Sequence, residues 1–255
     1  DNGVTVRCPV ARVGESGEVN CEVYTKRRLD QITPENASTT CTSGITDFSW
    51  MVDSFLGVDF NEPIGHWDTS SATNMAGMFY FANAFNQDIS HWDTSSVTDM
   101  SQMFREAFVF NQDISQWQTA SVRDMWGMFG DAHAFNQPIG GWDTSSVQDM
   151  AFMFAETRVF NQPIGAWDMS SVQNMMGMFA WARSFNQPIG GWDTHSVSNM
   201  AGVFFYAEPF NQDLSGWDTR AVTDMFAMFE QAVMFNQDLS SWCVESLKQR
   251  PDLFD

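Results

Sequence analysis

Apolar residues recur along this chain with a period of 25. Phe85, Ile89, Trp92, Val97, Met100, Met103, Phe104 and Ala107 have counterparts at the same spacing from about residue 60 onward. The tryptophans Trp67, Trp92, Trp117, Trp142, Trp167, Trp192, Trp217 and Trp242 mark the register. A residue that returns in every copy meets the same neighbours in every copy, so the pattern predicts a stack of equivalent units, each buried only by the next. Val97, Met100, Met103, Phe104 and Ala107 stand at helical spacing, which predicts one short helix per repeat. Ser95 and Ser96 precede it as N-cap residues, and position 99 is Asp or Asn in every copy, as suits a helix start.

The segment Phe85–Trp92 is too short for a second helix. It holds the Ile or Leu of each copy, which predicts a short parallel strand over about Asp88–Trp92, stacking at ~4.8 Å per repeat. Ile89 and Trp92 are three apart, so either a turn or bulge intervenes or Trp92 ends the strand. Asn86 and its equivalents are expected to form a buried amide ladder from one turn to the next. The repeats also vary in a correlated way. Asp88, Asp113, Asp213 and Asp238 are each followed two residues later by Ser, whereas Pro63, Pro138, Pro163 and Pro188 are followed by Gly. Asp with Ser reads as an Asx-turn, and Pro-Ile-Gly as the same corner set by ring and glycine geometry.

The flanks differ. Residues 1–44 carry Val4–Cys8 and Glu18–Tyr24, which read as two strands about the turn Gly14–Gly17, and hence as a hairpin cap stapled by Cys8–Cys21. Pro34 suits the first turn of a short helix near residues 31–38. Residues 45–51 echo the start of the repeat as a degenerate half-copy. No Cys41–Cys243 bond is expected, because the ends of the array should lie too far apart.

Charge changes the functional picture. Residues 45–242 hold 23 acidic and 5 basic side chains, so the repeats carry −18 of the formal −20. Such a surface repels phosphate backbones, which disfavours nucleic acid and favours cations or basic partners. No apolar run approaches the roughly 20 residues that span a bilayer, so no membrane insertion is expected. Four cysteines confined to the flanks, with the sequon Asn36-Ala37-Ser38, point to an oxidising extracellular setting.

The repeated words Phe-Asn-Gln-Asp-Ile-Ser-x-Trp-Asp-Thr-Ser-Ser-Val-Thr-Asp-Met-x-x-Met-Phe, eight times over about residues 45–245, resemble the 25-residue repeat of the BspA-like leucine-rich-repeat surface proteins. That resemblance implies secreted or surface-displayed microbial proteins used in adhesion or in binding host and matrix molecules, and brings no catalytic residues. The family's tail has a closing cap, which Trp242-Cys243 would open here. Together the readings give an α/β solenoid: a leucine-rich-repeat-like right-handed array with one short parallel strand and one short helix per repeat. It comprises an N-terminal cap over residues 1–44, repeats over 45–242 and the start of a C-terminal cap over 243–255.

Candidate chemistry is sparse. Asp68, Asp93, Asp143, Asp168, Asp193 and Asp218 follow the tryptophans and are weak calcium-ladder candidates, since stacked carboxylates repel and Ca²⁺ takes several oxygens; turn capping explains them equally simply. No other cofactor is implied. No nucleophile, paired-carboxylate or phosphate-loop motif marks an enzyme. The constant columns should be core, so recognition is expected where the copies differ: Tyr80, Phe81, Arg105, Phe108, His133, Arg158, Trp181, Arg183, Phe205 and Tyr206, with Trp126, Phe152 and Phe226 adding apolar bulk. The expected function is a non-catalytic, secreted or cell-surface module that binds an extracellular protein or glycan. The alternative is a structural spacer or wall-layer element, with calcium as a candidate stabiliser.

Overall fold

The computed structural model describes residues 4–247, residues 54 and 55 by their backbone alone. The amino-terminal part contains strands β1 (Ser16–Val19), β2 (Glu22–Lys26) and β3 (Thr40–Cys41), with the single-turn helix α1 (Pro34–Ala37) before β3. The sheet order is β1-β2-β3, antiparallel between the first two and parallel between the last two. Pro34 does open α1, after Thr33 as N-cap.

The hairpin is not the expected one. Its turn is Asn20-Cys21, both at positive φ (52° and 67°), with Val19 facing Glu22. Two left-handed residues match the twist of a two-residue hairpin, and Asn tolerates that conformation well. Residues Val4–Cys8 form no strand in this sheet; Val6 instead donates its N–H to the His66 carbonyl at 2.8 Å, along the edge of the repeats. The expected Cys8–Cys21 staple is therefore wrong. Cys21 sits exposed and free at the hairpin tip, and Cys8 is bonded to Cys41, with Cα atoms 6.3 Å apart.

From residue 46 to residue 247 the chain is an array of successive turns. Single-residue parallel bridges join Asp47, Asn74, Asp99, Asp124, Asp149, Asn174, Asn199 and Asp224 in succession. These lie where a helix start was expected, while Asp88–Trp92 forms no strand. There is no helix over 97–107 either: among the described residues the only α-helix is α1. The backbone here makes two kinds of hydrogen bond in alternation. The amides of Met100, Gln102, Phe104 and Glu106 donate to the carbonyls of Asp124, Trp126, Met128 and Gly130 in the next repeat, at 2.7–3.0 Å. The amides of Met103, Arg105 and Ala107 close tight turns onto Met100, Gln102 and Phe104. Gln102 and Glu106 take positive φ (54° and 60°), which breaks any helix. Successive four-residue turns point their first and last residues inward, and so give the same i, i+3, i+4, i+7 stripe as a helix. A helix of two or three turns is marginal alone, and hydrogen bonds to the neighbouring repeat displace it.

The remaining corner is also a turn. Trp92 donates its N–H to Ile89 at 3.2 Å, which lets both side chains face inward despite their spacing. The indole N–H of each tryptophan reaches back to the previous repeat, from Trp117 to the Ile89 carbonyl and from Trp142 to that of Ile114. Trp67 reaches the Ala37 carbonyl instead, fastening the amino-terminal part to the first repeat. The Phe, Met, Ile, Val and Trp columns make one continuous buried core. Their rings stack nearly parallel. Centroids advance 5.4–5.8 Å per repeat along the Phe79 column, 6.0–6.1 Å along the Phe85 column and 6.1–6.5 Å where the tryptophans are in contact. The turns thus spread apart away from the bridged side, where backbone pairing holds neighbouring segments at ~4.8 Å.

The amide ladder is present but at the surface. Asn86 Oδ1 accepts the N–H of Asn111 at 3.0 Å and the Nε2 of Gln112 at 3.0 Å, with the same pattern from Asn61 to Gln237. Ser90 N–H donates to Asp88 Oδ1 at 2.9 Å, so the Asx-turn holds. The paired glycines have a different reason from the one expected. A Cβ on Gly65 would stand 2.5 Å from the Asp88 carbonyl oxygen, and Gly140, Gly165 and Gly190 lie closer still to the next repeat. Glycine is required there by the approach of another backbone, not by a left-handed φ. The expected C-terminal cap beyond residue 247 lies outside the described residues.

Candidate functional site

The variable positions are sorted by the turns just described. The residue six after each bridge-side methionine has positive φ in every repeat: Phe81, Glu106, Asp131, Glu156, Trp181, Tyr206 and Gln231. None is glycine, although a left-handed residue with a side chain carries strain. Two residues after the methionine lies a second left-handed column, in which Gln102 and Phe152 alternate with Gly77, Gly127 and Gly177 before Gly202 and Ala227 follow. The Trp50 ring covers Gly77, where an added Cβ would meet a ring carbon at 2.5 Å, and that of Phe152 covers Gly177 more closely still.

This geometry brings the expected recognition residues into groups along one side of the array. Tyr80 packs edge-on against both Trp50 and Phe81, at 5.5 and 4.5 Å. Arg105 lies over the Trp126 ring at 5.6 Å, and Trp126 meets Phe152 edge-on. Trp181 stacks on Tyr206 at 4.0 Å, with Phe205 against both. Phe108 stacks flat on His133 at 4.9 Å, and Arg158 and Arg183 continue that column. Burial, reinforced by repulsion from Arg158 and Arg183, holds the His133 imidazole below its ordinary range and so favours the neutral ring.

Between the Arg105 and Trp181 groups is a groove of about 290 Å³. Its lining combines the carboxylates of Asp131 and Glu156, the rings of Phe152, Trp181 and Phe205, and the Arg105 side chain. Burial raises the Glu156 carboxyl above its usual range, and Asp131, on the preceding turn, adds repulsion and a shared hydrogen bond. Glu106 is raised by burial and by Asp131, against the pull of Arg105, whose Nε lies 3.9 Å away. That Nε is buried without a hydrogen-bond partner. Glu106, Asp131 and Glu156 were not among the residues expected from the sequence. Three acids in successive copies at one register position, beside aromatic residues in the next two copies, is the signal that was there to find.

A second groove, about 360 Å³, runs where Thr5 and Arg7 cross the edges of Trp67 and Trp92, beside Asp68, His91 and Asp93. Its aspartates are committed to turns. Burial pushes the Asp68 carboxyl up, but hydrogen bonds from Ser43 at 2.5 Å and from Ser70 at 2.7 Å outweigh it and leave the group below its usual range. The other calcium candidates cap turns likewise: Asp93 and Asp143 accept from Ser95 and Ser145, Asp168 from Ser170, Asp193 from His195, and Asp218 from Arg220, which holds its pKa at about 2. Among the described residues no three His, Cys, Asp or Glu side chains cluster as metal ligands.

A family model described as "Mycoplasma protein of unknown function, DUF285" matches residues 46–166 and 149–255. The chain belongs to this family. The two matches cover the repeat array, including the residues that line the groove, and leave out the amino-terminal sheet. Neither the curated proteins nor the solved structures contain a match. Among the described residues no helix is long and apolar enough to cross a membrane.

Proposed function

We propose that this chain is a non-catalytic binding module, displayed at or secreted from a cell surface, whose variable side recognises an extracellular protein or glycan. The stacked turns act as a solenoid scaffold of the BspA-like kind, in keeping with the resemblance of the repeat. The observation that carries the reading is the convergence of aromatic and arginine side chains from separate repeats, Arg105, Trp126, Phe152, Trp181 and Tyr206, along one side of the array. Such residues supply most of the affinity at protein interfaces, and here the scaffold holds them in place before any partner arrives. The flanking disulfide suits an oxidising compartment.

A glycan array and a protein pull-down with the purified chain test this, each repeated with Trp126, Trp181 and Tyr206 replaced together by serine. Binding lost in the triple variant is the expected result. A structural spacer, whose repeats set only length, would return nothing above background in either assay, and that outcome removes the binding reading.

A further inference from the structure

The groove between Asp131, Glu156 and Trp181 is more specific than a general contact surface. We propose that it receives the cationic side chain, lysine or arginine, of a basic segment in a protein partner. The inference rests on the binding reading above and names the chemistry of its partner. Two carboxylates from successive repeats and the rings of Phe152, Trp181 and Phe205 line the same groove, Trp181 following Asp131 and Glu156 in one column. Ring faces attract cations, and carboxylates accept hydrogen bonds from ammonium or guanidinium, so both kinds of lining group favour the same guest.

The cations already present leave the groove acidic. Arg105 lines the groove, lying over Trp126 and towards Glu106, and both it and Arg183 also act on Glu156. Against Arg105 stand Glu106, Asp131 and Glu156. Asp131 and Glu156 occupy one column in successive repeats and both line the groove, so their charges repel. A guest cation bound between them relieves that repulsion, whereas an anion would add to it. A neutral sugar could stack on the rings but would leave the carboxylates uncompensated. The volume, about 290 Å³, stands at the low end of the roughly 300–1,000 Å³ of small-molecule pockets, which suits one side chain better than a larger ligand. The repeats' charge of −18 steers a basic partner towards this side over distances of about a Debye length.

The test is an amide-resolved NMR titration of the full chain with end-blocked Gly-Lys-Gly and Gly-Arg-Gly, against Gly-Gln-Gly as the uncharged control. Saturable shifts are expected at the amides of Gly130, Ala155 and Ala180 and at the Trp181 indole, from either charged peptide and not from the glutamine one. Asp131→Asn combined with Glu156→Gln should weaken binding at least tenfold. Both changes keep the shape, and Asn accepts the left-handed φ of Asp131, so folding is preserved and is checked by the thermal midpoint. Val233→Ser, at an exposed site far along the array, should leave affinity unchanged. Absence of saturable shifts, equal binding of Gly-Gln-Gly, or unchanged affinity in the double variant overturns the assignment. A neutral oligosaccharide that shifts the same amides also overturns it, while leaving the binding-module reading in place.

Discussion

Gly140 and Gly141 are adjacent in sequence, yet alanine should have opposite effects at the two positions. A Cβ on Gly141 meets nothing within 4 Å, whereas one on Gly140 falls against the Pro163 carbonyl of the next repeat, closer than the 2.5 Å found for Gly65 and Asp88. A carbon and a carbonyl oxygen normally rest at about 3.3 Å or more. The overlap is thus on the order of 1 Å, and it falls on backbone rather than on a flexible side chain. Relief requires neighbouring turns to separate, which stretches the inter-repeat hydrogen bonds and the ring stacks on either side. Overpacking of this kind costs about 3 kcal/mol, or roughly 6–12 °C in midpoint for a domain of this size. Gly141→Ala should instead raise the midpoint slightly, since the unfolded chain loses freedom worth about 0.4–1 kcal/mol. Thermal unfolding of the two variants beside the parent, followed by circular dichroism and by tryptophan fluorescence, measures both effects. A Gly140→Ala midpoint equal to or above that of Gly141→Ala would refute the close-approach explanation of the Pro-Ile-Gly corners.

Other measurements address separate parts of the molecule. Asn111→Ala removes the acceptor of the Asn136 amide and of Gln137 Nε2, both at 2.9 Å, and should cost about 1 kcal/mol at this exposed site, read as a lowered denaturation midpoint. Burial first, and then repulsion from Asp99 and Asp149, raise the Asp124 carboxyl against the hydrogen bond from Trp126, so parent stability falls as pH rises from the ordinary carboxylate value of about 4 through the raised folded value. Asp124→Asn keeps the oxygen that accepts the Trp126 amide, and should raise the midpoint at pH 7 with the gain fading below about pH 4. Non-reducing peptide mapping should recover Cys8 joined to Cys41 and Cys21 open to alkylation; reduction should cost about 2–4 kcal/mol, and recovery of Cys8 joined to Cys21 would overturn the hairpin register. Because Asp93, Asp143 and Asp168 already cap their turns, millimolar calcium against chelator should leave the midpoint unchanged, and a clear rise would restore the calcium ladder.

Much of the scaffold is legible in the residues alone. A strict period with no insertion requires that Trp92 meet Trp67 and that Phe85 meet Phe60, as their ring stacks do. The amide ladder and the Asp88–Ser90 turn follow from local chemistry, and both are found. The candidate site was legible by column but not by grouping. Arg105, Trp126, Trp181 and Tyr206 stand out as variable and bulky, while Asp131 and Glu156 look like ordinary solvated acids until the turns align them beside Trp181.

The sequence by itself determined that the chain stacks, which side chains fill its core and which positions are free to differ, because equivalence between copies is a property of the period. Tertiary structure decided how each copy is folded. A stripe at i, i+3, i+4 and i+7 is shared by a helix and by paired four-residue turns, and only the carbonyls of the next repeat, at 2.7–3.0 Å, select the turns. It decided the disulfide as well, since Asn20 and Cys21 turn the hairpin and carry Cys21 away from Cys8. It also gathered Asp131, Glu156 and Trp181, one column in three successive repeats, into a single groove with Phe152 and Phe205 from other columns, a grouping that depends on the path of the backbone between columns.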